Sequence, residues 1–257
     1  MTDPIQRLRT LGLRLSRDGF EKLVYTADKS GLGALELLGR LADLEAGERA
    51  ARNLQRRTKL ATLGTFSTLD KFDWSHPSAF DKPAFDLLLG CEFIRRGENV
   101  LLRGPSGVGK TTLSQNLALQ ALQRGFSVRF CTLAACLADL LRQESVPALE
   151  RRLKRYTSPH LLVLDELGYL PADGRSADLL YTVIARRHEQ RSTVITTNLS
   201  FKQWTSVFPG SACVSALVDR FAQHCHVIDI EAESWRQKHA LRRKTKPKST
   251  SSDDDRP

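Results

Sequence analysis

Two rhythms of apolar residues divide this chain. Between residues 4 and 62, Ala34, Leu37, Leu38, Leu41 and Leu44 recur at steps of three and four, the spacing of one helix face. The stretch predicts an all-helical N-terminal domain over residues 1–62. From residue 84 onward the rhythm changes to short apolar runs at 99–103 (NVLLR), 127–131 (SVRFC), 160–165 (HLLVLD), 193–197 (TVITT) and 226–230 (HVIDI), each separated by a helical stretch. Strands alternating with helices predict an α/β domain over 84–235, a parallel five-stranded sheet flanked by helices. Residues 63–83 (LGTFSTLDKFDWSHPSAFDKP) form a linker rich in Ser, Asp and Pro. Leu69, Phe72 and Trp74 are too apolar for a free tether, so the linker reads as a strap docked on the next domain or as part of a wall around a nucleotide base. Residues 236–257 turn Lys/Arg-rich and then Ser/Asp-rich, the composition of a disordered tail.

The first run of the α/β region leads into Gly104-Pro105-Ser106-Gly107-Val108-Gly109-Lys110-Thr111, a complete G-x-x-x-x-G-K-[ST] phosphate-binding loop, with Thr112 next. A strand precedes it, and TTLSQNLALQALQRG follows as a helix with Leu113, Leu117 and Ala121 at helical spacing and a stop at Gly125. The glycines let consecutive backbone N–H groups wrap around phosphate oxygens at torsions a side chain would forbid. Residues 104–112 are therefore the expected nucleotide-binding segment. Lys110 reaches the β- and γ-phosphates, Thr111 offers its hydroxyl to Mg²⁺, and the helix N-terminus faces the same charge.

Binding is not hydrolysis, which needs acids. The run His160–Asp165 ends in the pair Asp165-Glu166. Asp165 at a strand tip can hold Mg²⁺ through water, and Glu166 can orient and deprotonate an attacking water. A strand candidate, 127–131, intervenes between the loop helix and this pair. That is the layout of the additional-strand, catalytic-glutamate ATPases, whereas small-molecule kinases and GTPases normally lack both features. The next strand ends in Thr196-Thr197-Asn198, where Asn198 is placed to sense a γ-phosphate and position water, although Asn is also ordinary turn chemistry. Arg220, on a helix just before the last strand, either faces solvent or acts as an arginine finger in a neighbour's site.

Composition adds a partner. Hydrophobic residues make up 41% of the chain and charged residues 26%, enough for an ordinary core, and the net charge is +10, which favours a polyanion. Half of that surplus lies in residues 236–257, with eight basic and three acidic side chains. Two further basic stripes fall on helices. Arg49, Arg52, Arg56 and Lys59, with Arg57 beside them, share one side, and Arg151, Arg152, Lys154 and Arg155 share another helix. Each reads as a solvated face or as a grip on DNA. No helix-turn-helix or zinc-finger pattern occurs, so such binding would be to backbone and salt-sensitive. The five cysteines form no C-x-x-C pair, and no long apolar segment or signal sequence is evident. These features predict a cytoplasmic protein without a membrane partner.

In this order the motifs resemble the IstB-like ATP-binding proteins of bacterial insertion sequences. The resemblance shows in TLDKFDW, FIRRGENVLLRGPSGVGKT, LLVLDELGYLP, RSTVITTNLSFKQWTSVF and ALVDRFAQHCHVIDIEAESWR. That family implies an AAA+ core, related to DnaC-type helicase loaders, which forms a homo-oligomer with ATP on double-stranded DNA. It then recruits or stimulates a cognate transposase, and hydrolysis resets the assembly. By position, Lys110 and Thr111 would bind ATP and Mg²⁺, Asp165 and Glu166 would act in hydrolysis, Asn198 would be the first sensor, Arg220 the finger and Arg236 a second sensor. The tail after residue 240 lies outside the resemblance. A replicative helicase loader would share every core motif, and a nucleotide-gated DNA scaffold with little turnover would share most of them.

Overall fold

The computed structural model describes residues 3–168, 174–209 and 211–235. The expected disordered tail and the Arg236 sensor lie outside these residues. The chain separates into two compact units, 1–60 and 61–257.

The first unit is helical. Helix α1 (Pro4–Thr10) is capped by the Asp3 carboxylate, and α2 (Arg17–Ser30) by the Ser16 hydroxyl, which accepts from the Gly19 N–H at 3.1 Å. Gly31 ends α2 in the left-handed conformation, and α3 (Ala34–Ala61) follows. Along α3, Leu37, Leu41 and Leu44 are half-buried, whereas Leu38, expected on the same face, is 62% exposed. Glu45 and Glu48 turn inward instead. They accept the Arg14 and Ser16 N–H groups at 2.8 and 2.7 Å, fixing the turn before α2. Burial raises the Glu45 pKa, but the Arg14 N–H, Arg49 and Arg52 outweigh it and hold the carboxylate below its ordinary value.

The second unit carries α4 (Lys82–Leu89), α5 (Glu92–Arg95), α6 (Lys110–Gln123), α7 (Leu133–Leu141), α8 (Val146–Thr157), α9 (Gly174–Arg187), α10 (Trp204–Val207) and α11 (Val214–Ala222). Its strands are β1 (Ala79–Phe80), β2 (Asn99–Arg103), β3 (Val128–Thr132), β4 (Leu161–Leu167), β5 (Ser192–Thr197) and β6 (Cys225–Glu231), in the spatial order β1-β6-β2-β5-β4-β3. The five strands β2 to β6 run parallel, as the apolar runs predict. The sixth, β1, was not legible. It is a two-residue antiparallel edge within the linker, held by backbone pairing to β6 rather than by any side-chain period.

Both sheet faces are buried. Leu101, Leu162, Leu164 and Ile195 join α7, α8, α9, α11 and Trp204 in one core cluster. Helix α6 contacts β2 to β5, and its buried Leu113 and Leu117 lie outside that cluster, on the other face. The linker packs rather than dangles. Trp74 gathers Phe72, Phe80 and Phe85 at ring distances of 4.7, 5.6 and 6.2 Å, and Gln115 and Asn116 of α6 donate to the Leu63 and Ser67 carbonyls.

Arg187 is 1% exposed and has only neutral acceptors among its recorded partners. It donates to the carbonyls of Tyr156, Pro159 and Ser192 and to Thr193 Oγ1, pinning the end of α8 to the starts of β4 and β5. Replacing it by Leu would orphan several buried carbonyls, and each costs about 1–3 kcal/mol. Arg187→Leu is therefore expected to lose at least about 3 kcal/mol in chemical denaturation, while a loss under 1 kcal/mol would show that water replaces the guanidinium.

Candidate nucleotide site

The loop between β2 and α6 is shaped by close approach. A Cβ on Gly104 would stand 2.3 Å from the Ile230 carbonyl, and one on Gly109 2.7 Å from the Phe72 ring. Gly107 and Gly109 also hold φ of +81° and +98°, a region that disfavours any side chain. The loop therefore needs glycine for its neighbours as well as for its torsions. It delivers Lys110 and Thr111 at the N-terminus of the 14-residue α6, where unpaired N–H groups and the helix dipole favour an anion. Lys110 is nearly buried, and its Nζ donates to the Gly104 and Pro105 carbonyls at 2.7 and 2.6 Å.

The acids arrive on β4 through an irregularity. Leu164 pairs with Ile195 and Leu167 with Thr197, so Asp165 and Glu166 together face the single residue Thr196 on β5. One extra residue makes this a β-bulge, the device that re-aims a side chain otherwise committed to the opposite sheet face. Glu166 takes up the kink in the left-handed region at φ +66°, which costs about 1–2 kcal/mol in a non-glycine residue. Asp165 stays buried and accepts from Thr111 Oγ1 at 3.0 and 3.2 Å, while Glu166 is exposed in the cleft. A hydroxyl beside a carboxylate is a donor set that suits a hard, oxygen-seeking divalent cation, so the residues fit Mg²⁺.

Ser106, Gly107, Val108, Gly109, Lys110, Thr111, Thr112 and Glu166 line one cleft, joined by Lys71, Phe72 and His76 of the linker and by Trp235. Thr196 lines it too, donating to Asp165 and accepting from the Glu166 N–H at 2.9 Å. Nothing in its residue type singled it out, and only the strand register places it opposite both acids. The backbone N–H of Trp235 donates to the Gly107 carbonyl at 3.2 Å, and the Trp235 ring meets His76 edge-on at 4.8 Å.

Other candidates lie elsewhere. Asn198 is exposed beyond the end of β5, with Oδ1 3.3 Å from a Cβ built on Gly168, and is not among the cleft residues. Arg220 donates to the Tyr181 hydroxyl and stacks 4.8 Å over its ring. On α8, Arg152 and Arg155 pair with Asp139, whereas Arg151 and Lys154 are exposed. On α3, Arg49 and Arg52 bind Glu45, and Arg52 also donates to the Arg14 carbonyl, while Arg56 and Lys59 are exposed. Arg57 of the same stripe is half-buried.

The parallel sheet, the loop at the head of α6 and the acid-bearing strand define an AAA+ protein of the phosphate-loop class. Several solved structures share the fold. DnaI superposes with a TM-score of 0.54 at 18% identity, covering 67% of this chain and 93% of that one, and AMPPCP-bound DnaA from Aquifex aeolicus gives 0.55 at 19%, covering 72% and 56%. The chain belongs to the family of IstB-like ATP binding proteins, whose profile matches residues 6–243. An ATP-binding protein of insertion sequence IS5376 from Geobacillus stearothermophilus is 33% identical over 226 residues, 88% of this chain and 90% of its own. The insertion sequence IS21 counterpart from Pseudomonas aeruginosa is 34% identical over 218 residues, 85% and 82%. Among the described residues no helix is long and apolar enough to cross a membrane.

Proposed function

We propose that this protein is a Mg²⁺-dependent ATPase that assembles as a homo-oligomer on double-stranded DNA and there recruits or stimulates the transposase of its insertion sequence. Hydrolysis resets the assembly. The observation that carries the reading is the bulge in β4, which brings Glu166 to the cleft of the phosphate loop while Asp165 stays bonded to Thr111.

In this reading the backbone N–H groups of the loop and the N-terminus of α6 bind the phosphates, and Lys110 leaves the Gly104 and Pro105 carbonyls to meet the β- and γ-oxygens. The Thr111 hydroxyl and, through water, Asp165 would hold Mg²⁺, whose chemistry there would be to neutralise phosphate charge. Glu166 orients a water and takes its proton as the water oxygen attacks the γ-phosphorus. The bond from that phosphorus to the β-bridging oxygen then breaks, releasing ADP and inorganic phosphate. Phe72 and Trp235 offer ring faces and edges for the base. Arg220 serves a neighbouring subunit, and Asn198 acts as the first sensor once the γ-phosphate is bound. Arg151, Lys154, Arg56 and Lys59 supply phosphate contacts to DNA, with the remaining stripe residues, Arg49, Arg52, Arg57, Arg152 and Arg155, behind them.

Insertion-sequence relatives spanning most of the chain favour the transposition role over a helicase loader, since the likeness to DnaI is one of fold. Duplex DNA added with ATP is expected to raise both the hydrolysis rate and the particle mass, and added salt should reverse both. A rate and mass indifferent to DNA at low salt would contradict the assembly. Arg220→Ala should keep ATP but lose about a thousandfold in turnover. Mixing it with Glu166→Gln should restore part of the rate if the arginine acts across an interface.

A further inference from the structure

We infer that Thr196 is a positioning residue for hydrolysis: its hydroxyl clasps the bulge of β4 and thereby sets where the Glu166 carboxylate stands. The inference rests on the hydrolytic role given to Glu166 above.

Two β4 residues facing one β5 residue leave a ladder position without its regular partner. At this irregularity the Glu166 N–H donates to a side chain, Thr196 Oγ1, at 2.9 Å. The same hydroxyl donates its hydrogen to Asp165 Oδ1. One oxygen thus accepts from the backbone of one acid and donates to the side chain of the other. Thr196 is 1% exposed and Asp165 3%, so water has little access to repair either bond. Thr196 holds Oδ1 of the Asp165 carboxylate from one side, and Thr111 Oγ1 lies 3.0 Å from Oδ2 and 3.2 Å from Oδ1 on the other. Glu166 meanwhile needs φ near +66° to face the cleft, a torsion that a glutamate holds only when its surroundings enforce it. The Thr196 hydroxyl is the contact recorded on its N–H.

Only the hydroxyl matters to this argument, because valine has the same shape. Thr196→Val is expected to lower kcat about 10- to 100-fold while the affinity for a fluorescent ATP analogue stays within about threefold, and Thr196→Ser should keep kcat within about threefold of wild type. A double-mutant cycle separates positioning from general weakening of the sheet. If Thr196 acts through Glu166, adding Thr196→Val to Glu166→Gln should cost little further turnover, whereas independent damage would multiply the two losses. A Val variant as fast as wild type, or multiplied losses in the double variant, would overturn the inference. Should the Val variant fail to fold, Ala and Ser are compared instead, and equal rates for those two would overturn it as well. The two readings fail differently. Equal turnover by wild type and Glu166→Gln removes the hydrolytic role of Glu166 and this inference with it, while a large effect of Glu166→Gln beside a silent Thr196→Val removes this inference alone.

Discussion

Glu166→Gln is expected to bind ATP as tightly as the wild type and to hydrolyse it about 10²–10⁴ times more slowly. Gln fills the same volume and keeps the backbone N–H that Thr196 holds, so the bulge and its left-handed torsion should survive. What disappears is the oxygen that can take a proton. Lys110, Thr111 and the loop amides are untouched, so a fall in kcat without a matching change in affinity is the signature to seek, measured as phosphate release beside titration with a fluorescent ATP analogue. Oligomers formed with ATP on DNA should consequently outlive those of the wild type. Equal turnover in the two proteins would leave the nucleotide-gated scaffold as the better account.

Lys110→Ala should act one step earlier. The ammonium is nearly buried beside the loop and is the recorded side-chain cation lying within it, so its loss removes a charge-assisted contact from each of the two phosphates it would bridge. At about 1.5–3 kcal/mol per such bond, the affinity for ATP should fall at least about a hundredfold. ATP-dependent assembly should fail at the same nucleotide concentrations. Isothermal titration and sedimentation on the same samples would check both, and assembly that persists without binding would break the proposed coupling. Unlike Glu166→Gln, this variant should not be rescued by longer incubation, because nothing accumulates in the bound state.

The contrast between these residues explains what could be read from the chain beforehand. The glycine loop and the five parallel strands are written locally, as a fixed spacing and as contiguous apolar runs, so the sequence alone placed a strand before the loop and a helix after it. The bulge is a property of two strands compared. HLLVLDE shows a strand ending in acids, but that β4 carries one residue more than β5 between Leu164 and Leu167 appears only in the register, and Thr196 gains its place from the same comparison. The edge strand β1 was invisible for a similar reason, since two residues have no period. The basic stripe on α3 is in part paired along its own helix, which the run of arginines does not announce. Glu45 and Glu48 lie four residues before Arg49 and Arg52, the spacing at which a helix pairs them, and the acids are themselves committed to the backbone of the preceding turn. Arg187 gave no signal at all. Its acceptors are carbonyls scattered across three segments, and no residue type announces them.

The pairing of β1 with β6 also has a mechanical side. Ala79 pairs with Glu231 and Phe80 with Ile230, so the linker and the end of β6 lie side by side in an antiparallel seam. Beyond the seam, His76 Nε2 meets the Glu233 carbonyl at 2.9 Å, and the Trp235 N–H rests on the Gly107 carbonyl. A load applied between Ser75 and Trp235 would therefore act in the unzipping direction. It would meet these bonds one after another instead of all at once. The contact at Trp235 would yield first, then that at Glu233, then the Ser78 bonds to Glu231, and the parallel strands behind them would feel the pull last. A pull on the segment that follows β6 is thus met first at the backbone of the phosphate loop.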